Sequence, residues 1–112
     1  MNKYRNHNCN QLRKDDVGKK AILSGWLNKK RDHGNLLFID LRDNYGVTQC
    51  IISQDNPNFS SLEKIQLETV LRIEGKVVDR SAETINKEIS TGEIEIVIDN
   101  FKVLGTCKEL PL

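Results

Sequence analysis

Between Val70 and Val78 the chain alternates without a fault: Leu71, Ile73, Gly75 and Val77 fall on one side, and Arg72, Glu74 and Lys76 on the other. A period of two is that of a β-strand with one dry and one wet face. Such a strand needs neighbours along both edges and cover for its apolar side, so the rest of the chain has to supply further strands. It does so in short runs. Ala21–Arg31 reads as a strand, with Ile22, Leu23, Trp26 and Leu27 among small and polar residues at no helical spacing. Leu36–Arg42 and Val47–Ile52 follow, and Glu93–Ile98 places isoleucine at every second position, with Phe101, Val103 and Leu104 extending the apolar pattern.

Turn chemistry separates these runs. The first two strands are joined by the basic stretch Lys29-Lys30-Arg31-Asp32-His33-Gly34-Asn35, and the next two by Asp43-Asn44-Tyr45-Gly46. After the breaker cluster Asp55–Asn58, Ser60 or Ser61 is predicted to cap a short helix carrying Leu62, Ile65 and Leu67, with Glu63 in its first turn. A polar stretch from Asp79 to Gly92 precedes the last strand. The first three strands read as a meander. The order β-β-β-α-β-β predicts an all-β fold with one short helix, the five-stranded Greek-key barrel of the OB type; an immunoglobulin-like sandwich would need more strands.

With 112 residues, 38% of them hydrophobic, the chain has apolar material for one core, and residues 1–112 are expected to form a single domain. The net charge of +1 leaves the choice of partner to local placement. No apolar run approaches the roughly 18 residues that span a bilayer, and the start Met1-Asn2-Lys3-Tyr4-Arg5 lacks a secretory apolar segment. The expectation is a cytoplasmic protein with no membrane partner. Cys9, Cys50 and Cys107 form no CxxC pair, and His7 with Cys9 has no second pair of ligands, so reduced thiols and no metal are expected. There is no phosphate-cradling glycine loop, no Ser/His/Asp or Cys/His set, and no candidate catalytic residue.

In OB barrels the face of the second and third strands, with the loops joining strands one to two and four to five, binds oligonucleotides. On that face parity sets Phe38, Asp40 and Arg42 opposite Leu37, Ile39 and Leu41. Phe38 is therefore either a stacking platform for an unpaired base or a core ring where the sheet curls. Lys29, Lys30 and Arg31 are placed to neutralise phosphates, and Arg31 to grip a base edge as well; the alternative is a solvated basic turn. Gln49 offers an amide to a base edge, and Glu95 an acceptor for base or ribose donors, though both also suit ordinary surface. His33 projects from the loop beside Gly34, and a loop histidine is commonly idle. Trp26, mid-strand in an apolar segment, is read as core. Asn86 and Thr91-Gly92 mark the second loop.

The string Gly25-Trp26-Leu27-Asn28-Lys29-Lys30-Arg31-Asp32-His33-Gly34, followed by Leu37-Phe38-Ile39-Asp40-Leu41-Arg42-Asp43, closely resembles the N-terminal anticodon-binding domain of bacterial aspartyl-tRNA synthetases. The likeness runs from Tyr4-Arg5 and Cys9-Asn10-Gln11-Leu12 through Tyr45–Gln49, Asn86 and Thr91–Glu95 to Leu110-Pro111, nearly the whole chain. Lysyl and asparaginyl synthetases share the barrel but match these strings less well. The resemblance implies tRNA as partner, with Phe38 stacking on the central anticodon base, Arg31 and Gln49 contacting the anticodon loop, and Glu95 helping to read the first base. It implies a class II parent that ligates aspartate to tRNA using ATP and Mg²⁺ in a larger C-terminal domain and dimerises largely through it. That catalytic domain is outside this chain, and no cofactor is expected for the barrel itself. His33 resembles the residue of family members that charge both aspartate and asparagine tRNAs, which implies relaxed specificity. The alternative reading is a single-strand-binding OB protein without sequence preference. A third treats the barrel as an interaction module with no nucleic-acid role.

Overall fold

A computed structural model of the chain describes residues 13–43, 46–80 and 91–106. His7, Cys9, Tyr45, Asn86, Cys107 and Leu110-Pro111 lie outside the described residues, as does the loop segment 81–90. After a short 3-10 turn at Lys14–Asp16, five strands and one helix follow: β1 Lys20–Asp32, β2 Leu36–Arg42, β3 Val47–Ser53, α1 Phe59–Glu63, β4 Thr69–Asp79 and β5 Ile94–Thr106. They close into a barrel in the order β1-β2-β3-β5-β4. The first three strands form the expected meander. β5 then inserts beside β3, pairing with it in parallel through Cys50↔Ile96 and Ile51↔Val97, and β4 closes the ring against β1.

The inward residues of every strand meet in one core. Leu23 and Leu27, Leu37, Ile39 and Leu41, Ile52, Leu71, Ile73 and Val77, and Ile94, Ile96 and Ile98 are all buried. Each such side chain is worth about 1.5–3 kcal/mol when taken out of water. Phe59 and Leu62 from α1 join the same cluster. Where β4 bends against β5, the backbones come so close that a Cβ on Gly75 would meet the Val97 carbonyl oxygen, so only glycine fits.

Three expectations are corrected. Trp26 is not in the core: Ala21, Leu23, Gly25 and Leu27 take the inward positions of β1, and Trp26 sits half-buried on the outer side between Arg42 and Val70. The helix is capped by neither Ser60 nor Ser61. It starts at Phe59 with Asn58 as N-cap, in a helical backbone conformation and with no side-chain capping bond; the Asn58 amide donates to the Asp99 carbonyl and ties the turn to β5. Asn56 does the same toward Ile98. Ile65 and Leu67 lie beyond the helix, Leu67 being 54% exposed, and Glu63 is the last helical residue rather than a first-turn carboxylate.

One irregularity decides where the barrel's charges point. Along the β1–β2 ladder, Leu27 pairs with Leu41 but Lys29 pairs with Asp40, which leaves Asn28 as an extra residue. A bulge of this kind inverts the alternation beyond it. Without it Lys29 and Arg31 would continue the inward series of Leu23 and Leu27. With it they stand opposite Asp40 and Phe38 on the outer face, and Lys30, opposite Ile39, turns inward.

Candidate nucleic-acid interface

The outer face of β1, β2, β3 and β5 carries the site. Phe38 is half-buried there, with Arg31 and Ile51 as its cross-strand neighbours. It is thus not a core ring. The loop before it is held by its own backbone: His33 donates its amide hydrogen to the Leu36 carbonyl, Asp32 accepts one from Gly34 at 2.9 Å, and Gly34 takes a φ of +81° that a side chain would oppose. This geometry packs the His33 ring against Phe38 in a T-shaped contact, with centroids 5.1 Å apart and planes at 73°, a favoured arrangement for an aromatic pair.

Beside this aromatic pair runs a chain of polar contacts across four strands. Arg31 Nη2 donates to Gln49 Oε1 at 3.0 Å, and Gln49 Nε2 donates to Glu95 Oε1 at 2.8 Å. Arg31 also lies 3.3 Å from the Asp40 carboxylate. The ladder register explains the order, since Asp40 is the cross-strand partner of Gln49, and the parallel β3–β5 pairing brings Glu95 alongside. Gln49 is 6% exposed, so its amide is not ordinary surface. An exposed ion pair such as Arg31–Asp40 contributes only about 0–1 kcal/mol to stability. Its effect here is orientation.

The other predicted site residues separate. Lys29 is exposed, opposite Asp40 at the edge of this row. Lys30 is directed elsewhere: its ammonium donates to the carbonyls of Glu63 and Ile65, each at 2.7 Å, and so closes the C-terminal end of α1. Thr91 is buried with its hydroxyl donating to the Val47 carbonyl, which anchors the start of β5 to β3.

Two residues were not singled out from the sequence. Asp40 was visible only as a charge on the outer side of β2. Arg80 fell in a stretch read as loop, yet it is 8% exposed, and its Nε donates to the Ile94 carbonyl. Burial lowers its pKa, while the carboxylates of Glu95 and Asp40 pull it back up, so a second guanidinium lies close to the Gln49 row. Cys50 is buried and its thiol is pushed up, first by desolvation and then by Asp40 and Glu95, which makes it an inert core group. Among the described residues no group of three His, Cys, Asp or Glu side chains is gathered to hold a metal, and no helix is long and apolar enough to cross a membrane.

The barrel has counterparts in known proteins. Over its full length the chain is 69% identical to the aspartate–tRNA(Asp/Asn) ligase of Pelagibacter ubique (strain HTCC1062) and 53% identical to that of Phenylobacterium zucineum (strain HLK1). It spans 19% of each of these relatives. Among solved structures, asparaginyl-tRNA synthetase from Pyrococcus horikoshii in complex with asparaginyl-adenylate superposes with a TM-score of 0.74 at 22% identity, over 94% of this chain and 23% of that one. OBody AM2EP06, bound to hen egg-white lysozyme, has a TM-score of 0.79 at 17% identity, over 96% of this chain and 99% of that one; there the same barrel makes up the whole chain. At such identities the two structures speak for the fold alone. The family described as the OB-fold nucleic acid binding domain matches residues 21–104, and with the strand order and the face just described, this chain belongs to that family.

Proposed function

We propose that this chain reads the anticodon loop of a transfer RNA on behalf of a longer aspartate–tRNA ligase that acts on aspartate and asparagine tRNAs. The observation that carries this reading is the Arg31–Gln49–Glu95 row lying beside Phe38 on one outer face. It joins a flat ring for stacking to directional donors and acceptors for a base edge, which a nonspecific binder does not require. The ligase names of the relatives support it over the alternative of a general single-strand-binding barrel.

In this reading Phe38 stacks on the central anticodon base, Gln49 meets that base's edge, Glu95 accepts from the first base, and Arg31 and Lys29 face the loop's phosphates or base edges. Lys30 acts only on stability, by holding the end of α1 with its ammonium. His33, packed against Phe38, meets the third base and underlies acceptance of both tRNAs, whose anticodons differ there. Aspartate, ATP and Mg²⁺ chemistry, homodimer formation and a cytoplasmic place belong to the longer protein. The relatives' ligase names support that assignment, and no step of it is routed through the barrel.

The test is binding of this chain to an aspartate-tRNA anticodon stem-loop at two salt concentrations, beside a loop with an altered central base and beside Phe38→Ala. Binding that weakens in both comparisons is the expected result. Equal binding to all loops, unaffected by the substitution, would return the chain to the nonspecific class. With the full-length enzyme, strong preference for the aspartate tRNA over the asparagine tRNA would remove the role given to His33.

A further inference from the structure

We propose that Asp40 is a specificity-positioning residue: by holding Arg31 it fixes which way round the Gln49 amide faces, and so makes the central position accept uracil and reject cytosine. This rests on the reading that the Phe38 face binds the anticodon loop.

A primary amide has two donor hydrogens on nitrogen and two lone pairs on oxygen, and its ends exchange on a half-turn. In Gln49 one lone pair accepts from Arg31 Nη2 at 3.0 Å, and one hydrogen goes to Glu95 Oε1 at 2.8 Å. A half-turn would set the NH₂ group against the guanidinium and the carbonyl oxygen against the carboxylate, donor against donor and acceptor against acceptor. The orientation is therefore locked while Arg31 stays in place. Arg31 is anchored by Asp40, which takes Nη1 and Nη2 on its two carboxylate oxygens at 3.5 and 3.3 Å, and the Arg31 side chain is 42% exposed. Asp40 faces Gln49 directly across the β2–β3 ladder, and so stands where it can hold the guanidinium over the amide.

The locked amide has one lone pair and one hydrogen left. Gln49 is a diagonal neighbour of Phe38 on the same face, within reach of a base stacked on the ring. Codons for aspartate and asparagine share a central adenine, so the anticodons share a central uracil. Uracil presents an N3–H beside a carbonyl, which matches a lone pair beside an N–H. Cytosine presents the inverse, an acceptor N3 beside an amino group, and would need the amide turned over. A matched bidentate contact discriminates against the wrong base by roughly fivefold to a hundredfold.

Stem-loops identical except for uracil or cytosine at the central position distinguish this from a merely structural role. Their dissociation constants are measured with the wild-type chain, Asp40→Ala and Asp40→Glu, together with the side-chain NH₂ signals of Gln49 in ¹⁵N spectra. The ratio of the two constants is the readout, because a fall in folded fraction weakens both loops alike. Wild type is expected to prefer uracil by about fivefold or more. Asp40→Ala should bring the ratio within about twofold and alter the Gln49 NH₂ pair, and Asp40→Glu, which keeps a carboxylate within reach, should restore part of the ratio. An unchanged ratio in Asp40→Ala, with wild type still preferring uracil, overturns the inference and leaves the anticodon reading standing. No preference in wild type overturns both.

Discussion

The two halves of β1 differ in what their alternation serves. From Lys20 to Trp26 the strand pairs with β4, and up to Leu27 it sends Ala21, Leu23 and Leu27 into the core, an amphipathic strand like any other. Beyond the extra residue Asn28 it pairs with β2, and its parity is inverted, so that consecutive cations part company: Lys29 and Arg31 go out to the Phe38 face and Lys30 goes in to α1. One inserted residue thus turns a core strand into a binding strand. A basic run read as a single patch is in fact two devices with different energetics.

The contrast can be broken on either side of the bulge. Leu27→Ala, on the core side of the bulge, should destabilise by about 2–5 kcal/mol in denaturant melts. Next in size, Lys30→Ala leaves two helix-end carbonyls without their donor and should cost about 1–3 kcal/mol, with RNA affinity unchanged once folded. Arg31→Ala should behave inversely. Its exposed ion pair predicts a stability change within about 1 kcal/mol, while affinity for the stem-loop falls measurably by fluorescence anisotropy. If Lys30 and Arg31 variants behaved alike in both assays, the distinction between the halves of β1 would fail.

The smallest effect is one of pH. Glu63 is shifted upward, chiefly by its hydrogen bond with Asp32, so the folded chain favours its protonated form. The associated stability is present at acidic pH and is lost as pH rises through the carboxylate range. Glu63→Gln should flatten that slope in melts run across the range, and a wild-type slope that survives the substitution would assign it to another carboxylate.

Much of this was legible in the alternation. The first four strands were read near their observed limits, β2 at the limits themselves, because each has one dry side and turn residues at its ends, while β5 runs on past Ile98 to Thr106. The outward Phe38 followed from the same parity. What alternation alone could not supply was the bulge. Nothing in Leu27-Asn28-Lys29 announces an extra residue, so the separate fates of Lys29, Lys30 and Arg31 depend on pairing with β2, a relation between distant segments. Trp26 was assigned by the apolar segment around it, whereas its position opposite Arg42 and Val70 is set by Ala21, Leu23 and Leu27 claiming the inward places. Likewise the helix cap was sought among local serines, while Asn58 was committed to a carbonyl of β5. Arg80 went unnoticed because its partners lie in β5 and across the barrel.

Stepping around the ring by cross-strand partners has a further consequence. From Arg31 the path goes to Phe38, Ile51, Val97 and Lys76, and it arrives back on β1 at Lys20 instead of at Arg31. The rungs form a spiral whose offset on closure comes in whole residues and, with the strand number, fixes the barrel's girth. The spacing between a base seat on one strand and a base reader on the next therefore has no continuous adjustment. It can jump, at the expense of re-registering every strand, or stay as it is. Relatives that recognise different anticodons on such a barrel are accordingly expected to exchange single side chains and rebuild loops, while the spacing of the strands beneath them stays constant.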